Sequence, residues 1–164
     1  MLIACLFLSA ADPALAQQLR GYDNDLSAHV LTRLVTDPVG ALIAAADDGE
    51  QPTFVRARAL ELLGHYLESR TLAALVRLSG HALPELRVKA LKGLRFFAQR
   101  MPETADDPAI ASVLQERLAD GDRFVRMQAV RAAAVLPAQH AHLRLLRAQE
   151  NDAGVRRTFD DVLR

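Results

Sequence analysis

The stretch Arg123–Ala133, "RFVRMQAVRAA", has two near-copies in the same chain: "TFVRARALELL" at Thr53–Leu63 and "PELRVKALKGL" at Pro84–Leu94. Aligned on the apolar–arginine dipeptide, with a fourth copy further on, the anchors are Val55-Arg56, Leu86-Arg87, Val125-Arg126 and Val155-Arg156, spaced by 31, 39 and 30 residues. Four residues past each anchor stand Ala59, Ala90, Ala129 and then Phe159; eight past it stand Leu63, Leu94, Ala133 and Leu163. Positions i, i+4 and i+8 share one side of a helix, so each copy predicts an amphipathic helix. A small alanine at the centre of the apolar side lets a neighbouring helix come close, with the larger residues filling space on either side.

Shorter apolar segments lie between the copies: "RTLAALVRLSG" (Arg70–Gly80), "PAIASVLQERLAD" (Pro108–Asp120) and "AQHAHLRLLRAQ" (Ala138–Gln149). Each suits a second, antiparallel helix. Asp122 and Asp152 stand where an N-cap accepts backbone N–H bonds, and Pro52 and Pro84 suit a first helical turn. Gly80, Pro102 and Pro137 punctuate the connections. No segment alternates β-branched and polar residues, so no strand is expected.

Helix pairs repeating with a period of about 30 residues predict an α-solenoid. The "VR..A...L" helix openings, together with an acidic residue five before the anchor (Glu50, Asp120, Glu150), resemble the HEAT-repeat family, in particular its short bacterial phycobilin-lyase-like branch. His81 departs from the acidic position. The likeness covers residues 25–164, with "DLSAHVLTRLV" and "PVGALIAAADD" as a degenerate first pair. It implies an all-α fold: an α-solenoid of about four antiparallel helix pairs plus a terminal half-repeat. One helix pair cannot bury its apolar face alone, whereas stacked pairs share a continuous core. The resemblance identifies a fold more sharply than a function, because such solenoids serve unrelated roles.

The remaining composition bounds the function. The chain has 164 residues, 51% of them hydrophobic and 24% charged, which is ample for one buried core and unlike a disordered chain. Twenty basic and 20 acidic residues cancel, so a uniformly basic surface for nucleic acid is not expected, although a local patch stays open. Met1–Ala11 is an apolar run broken by Ser9, and Ala14-Leu15-Ala16 precedes Gln17-Gln18. This reads as a signal peptide over residues 1–16 cleaved after Ala16, with a linker over 17–24 and a periplasmic or secreted product. No basic residue precedes the run, and a core helix is the alternative reading. "LIAC" (Leu2–Cys5) resembles a lipoprotein cleavage box, but the apolar run continues past it. Cys5 is the only cysteine, so the expected mature chain has no disulfide and no thiolate.

Catalytic signatures are weak. An iron-dependent hydroxylase among HEAT-like proteins uses His-Glu pairs, and this chain has no such dipeptide. His140 and His142 in "QHAHL" would lie about 200° apart round a helix, unsuited to one metal. His29, His65 and His81 are scattered. "DLSAH" holds Asp25, Ser27 and His29, but adjacency on one helix does not make a triad. No enzyme activity, cofactor or metal site is expected. Arg56, Arg87, Arg126 and Arg156 recur at one helical position and predict a row. Its structural reading is an arginine ladder bonded to acidic or carbonyl groups of the neighbouring repeat; an anion-binding stripe is the alternative. The longest spacing places extra residues near "RMPETADDP" (Arg100–Pro108), read as a solvated spacer or a partner-facing loop. The combined expectation is a non-catalytic protein-binding or scaffold module of a bacterial envelope, with a protein partner and no membrane span. The alternative is an accessory subunit or lyase-like enzyme acting on a bound cofactor.

Overall fold

A computed structural model describes residues 13–21, 28–104 and 106–164. The described residues are all-helical, with no strand. The helices are α1 (Pro13–Arg20), α2 (Ala28–Leu34), α3 (Pro38–Asp47), α4 (Thr53–Leu63), α5 (Ser69–Leu78), α6 (Pro84–Arg100), α7 (Pro108–Leu118), α8 (Arg123–Ala133), α9 (His140–Gln149) and α10 (Ala153–Val162). The four copies of the repeated stretch are α4, α6, α8 and α10. No described helix is long and apolar enough to cross a membrane.

The copies pack on one another in chain order, α4 on α6, α6 on α8 and α8 on α10, with α3 closing the other side of α4. The central alanines Ala59, Ala90 and Ala129 are completely buried, as are the anchors Val55, Leu86, Val125 and Val155. Phe159 takes the alanine position in α10 and is also buried. Two glycines bring the layer closer still. A Cβ built on Gly64, just past α4, would stand 2.4 Å from the Gly93 carbonyl oxygen, and one on Gly93 of α6 would stand 2.7 Å from the Leu60 carbonyl oxygen. Side chains are excluded there because the two backbones nearly touch.

The intervening helices join chiefly to the copy that follows them, α5 to α6 and α7 to α8. The C-terminal half-repeat expected from the sequence is therefore not solitary: α10 lies on α8 and also touches α9. Helix starts follow local chemistry. The Asp122 carboxylate accepts from the N–H groups of Phe124 and Val125, and Asp152 from those of Gly154 and Val155. Pro84 occupies the first turn of α6, whereas Pro52 stands just before α4 as its cap residue.

Two expectations change. The extra residues before α7 fall only partly in the Arg100–Pro108 connection, whose described residues stay exposed or half-exposed. The rest lengthen α6 to 17 residues, against 11 in α4 and α8, followed by a short 3-10 turn at Pro102–Thr104. Leu94, Phe97, Ala98 and Met101 continue the apolar stripe at helical spacing, and Phe97 and Ala98 are buried by it. The stretch over 17–24 is not linker throughout: Gln17–Arg20 completes α1, which packs on α4. Leu15 and Leu19, four residues apart, are both fully buried, so the expected cleavage point after Ala16 falls within a core-forming helix of the intact chain. Residues 1–12 and 22–27, including Cys5, Asp25 and Ser27, lie outside the described residues.

Candidate functional site

The arginine row is a set of rungs between successive copies. Arg126 donates through Nε and Nη2 to Glu150 Oε2 and Oε1 at 2.9 and 3.2 Å, and through Nη1 to the Asp120 carbonyl at 2.9 Å. Arg87 donates through Nη2 to Asp120 Oδ1 at 2.9 Å and through Nη1 to the His81 and Ala82 carbonyls, each at 2.9 Å. Each guanidinium thus holds a carbonyl of the turn before its own helix and the carboxylate five residues before the next anchor. The carboxylates also bind within their own turns, since Asp120 accepts from the Asp122 N–H, and Glu150 from the Asp152 N–H, each at 2.9 Å. A rung therefore couples one copy's guanidinium to the turn that launches the next helix.

The carboxylates are ionised by this arrangement. Burial pushes Asp120 up, but the Asp122 N–H and the Arg87 and Arg117 guanidinia outweigh it and hold the carboxyl below its ordinary range. Burial likewise pushes Glu150 up, and the Arg126 hydrogen bond and the Asp152 N–H reverse the balance. Arg126 is raised in turn by its bond to Glu150. The Arg87–Asp120 and Arg126–Glu150 pairs are largely enclosed, with side-chain exposures of 13%/5% and 18%/13%. Pairs so shielded resist screening by salt.

The first rung is defective. Arg56 is buried, donates through Nε to the Ala46 carbonyl at 2.9 Å, and meets His81 where a carboxylate stands in the later rungs. The Leu83 N–H donates to His81 Nδ1 at 3.0 Å, reproducing the turn-capping bond of Asp120. Arg56 Nη2 faces the other ring nitrogen, Nε2, at 3.2 Å, and a neutral imidazole has one lone pair, so it can satisfy only one of the two donors. In either tautomer one donor faces another donor. Burial and then the Arg56 charge push His81 below the ordinary histidine value, with Asp47 opposing. In α10, Arg156 is exposed and donates to the Glu150 carbonyl at 3.4 Å. Glu50 is exposed, and its N–H bonds Asp48 rather than joining a rung.

The other sequence candidates do not converge. His140 donates from Nε2 to the Ala134 carbonyl at 2.8 Å, while His142 lines a cavity of about 190 Å³ with Ala111, Gln115 and Gln139. His29 is exposed, and His65 stacks on Phe96 with centroids 5.3 Å apart. No group of three potential metal ligands occurs among the described residues.

Two surface features were not among the residues singled out from the sequence. Phe54, Leu83 and Phe124 remain 47%, 41% and 54% exposed at the starts of α4, α6 and α8. Phe54 and Phe124 are matching residues, each directly before its anchor, and this periodicity was the available signal. The second is a basic cluster around Phe96, Arg95 and Arg131, whose members occupy different repeat positions and leave no periodic trace. Family models, curated proteins and solved structures were compared with this chain, and none matches.

Proposed function

We propose that this chain is a HEAT-like α-solenoid acting as an exported, non-catalytic protein-binding or scaffold module. The observation that carries the reading is the exposed apolar row Phe54, Leu83 and Phe124 on helices that pack side by side. Large apolar groups recurring at one end of neighbouring helices favour a partner that crosses several copies, as an extended protein segment does. Arg123 lies 4.6 Å from the Phe124 ring centroid, giving the row a cationic margin. The Arg87–Asp120 rung ties α6 to the turn that starts α8, and so holds the Leu83 and Phe124 ends of the row together. The envelope assignment rests on the apolar start and the Ala14-Leu15-Ala16 motif.

The test compares the wild-type chain with Phe54→Ser/Phe124→Ser in cross-linking and co-purification from the envelope fraction. The double variant should lose a specific partner while melting within a few degrees of wild type, since both rings are already half solvated. Retention of the same partners by the variant would sink the proposed surface.

A further inference from the structure

We propose that Arg95 of α6 and Arg131 of α8 form a receptor for the carboxylates of an acidic protein segment, an inference that rests on the protein-binding reading above. Both side chains are half-buried, and neither has a carboxylate partner among the described residues. Arg95 Nε is buried without a hydrogen bond, as are those of Arg87 and Arg117, whose Nη atoms nevertheless meet Asp120; Arg131 donates to Gln128 Oε1 at 3.4 Å. Elsewhere in this layer arginines of similar burial are matched: Arg87 by Asp120 and Arg126 by Glu150. Arg144 and Arg157 also lack carboxylates, but they are exposed and water screens them. Arg95 and Arg131 are less open to water, and burial followed by the Arg131 charge disfavours the Arg95 cation.

The surroundings specify the ligand further. The Arg95 guanidinium lies 5.2 Å from the Phe96 ring centroid, and the exposed His65 ring stacks on that ring. Lys92 lies 5.8 Å from the same centroid but is already bound to Glu61. Two guanidinia without carboxylates, one of them over an aromatic ring, fit one or two carboxylates flanked by an apolar side chain. Nucleic acid fits less well. Its affinity grows with the number of phosphates neutralised, and this cluster offers two guanidinia without carboxylate partners on a chain of zero formal charge. The anion completes an ion pair that the free protein leaves open, so binding removes a like-charge cost as well as adding contacts.

Fluorescence anisotropy with a short labelled peptide of alternating Glu and Phe tests this directly, using the full chain. Wild type should bind it, the Gln-for-Glu peptide should bind at least about tenfold more weakly, and inorganic phosphate should compete only at far higher concentration. Arg95→Gln/Arg131→Gln should lose binding by a similar factor, with Arg95→Lys/Arg131→Lys intermediate because the fork is lost and the charge kept. Arg144→Gln/Arg157→Gln removes the same net charge and should bind as wild type does. In the free state the Gln double variant should melt no lower than wild type, which separates lost binding from lost folding. Equal loss in the Arg144/Arg157 control, equal binding of the Gln peptide, or tighter binding of a single-stranded oligothymidylate would each overturn the receptor. So would a wild-type chain that captures its partner through Phe54 and Phe124 yet ignores the Glu peptide, and that result would leave the proposed function standing.

Discussion

Replacing His81 with aspartate should stabilise the protein, because it would convert the defective first rung into the form taken by the others. The Leu83 N–H now meets Nδ1 and Arg56 Nη2 meets Nε2, two donors for the one lone pair of a neutral ring. A carboxylate accepts from both, as Asp120 does from the Asp122 N–H and Arg87. A hydrogen bond to a charged group contributes about 1.5–3 kcal/mol. Desolvating the new carboxylate and its repulsion by nearby Asp47 remove part of that, and Asp47 is already matched by Arg77. The net gain is about 1–2 kcal/mol at neutral pH, a rise in Tm of roughly 2–8 °C for a chain of this length. Urea melts of wild type, His81→Asp, Arg56→Met and the double variant form a cycle that isolates the rung. The pH dependence supplies a second check. The folded pKa of His81 lies below the unfolded one, so its contribution is full above the ordinary histidine value and is lost as pH falls through and below it. The advantage of His81→Asp should therefore widen from about pH 7 to about pH 5. A variant less stable than wild type at neutral pH, or a gain that survives Arg56→Met, would refute the reasoning.

Gly93→Ala should cost about 1–3 kcal/mol, despite the better helix propensity of alanine, because its Cβ would meet the Leu60 carbonyl; matched denaturant melts with exposed Gly121→Ala should show the loss only at Gly93. Deleting residues 152–164 removes buried Val155 and Phe159 and half-buried Leu163, and should lower stability by several kcal/mol, on the scale of two or three large side chains. Unchanged melting of the truncated chain with loss of a dimer by light scattering would instead make α10 a docking helix. N-terminal sequencing of the exported protein should begin at Gln17; recovery of the intact chain, with Leu15 protected in the core, would overturn the cleavage site.

Periodicity alone determined which residues face inward. The anchors Val55, Leu86, Val125 and Val155 and the alanines behind them are buried because a helix repeats its side every three to four residues, and that rule is local. The N-caps Asp122 and Asp152 were legible for the same reason, since a cap acts within its own turn. Pairing across copies was not local. Whether Arg126 would meet Glu150 or solvent depended on how closely α8 and α10 approach, and His81 was visible only as a break in a pattern, with its opposed donors hidden. The contact of Gly64 with Gly93 joins residues 29 apart and follows from the packing distance of two helices. Arg95 and Arg131 hold unlike places in their copies, so the repeat gave no warning that they share a surface. Sequence period reports the face a residue turns to the core; only the approach of distant backbones decides which side chains on the other face are matched and which are left with an open charge.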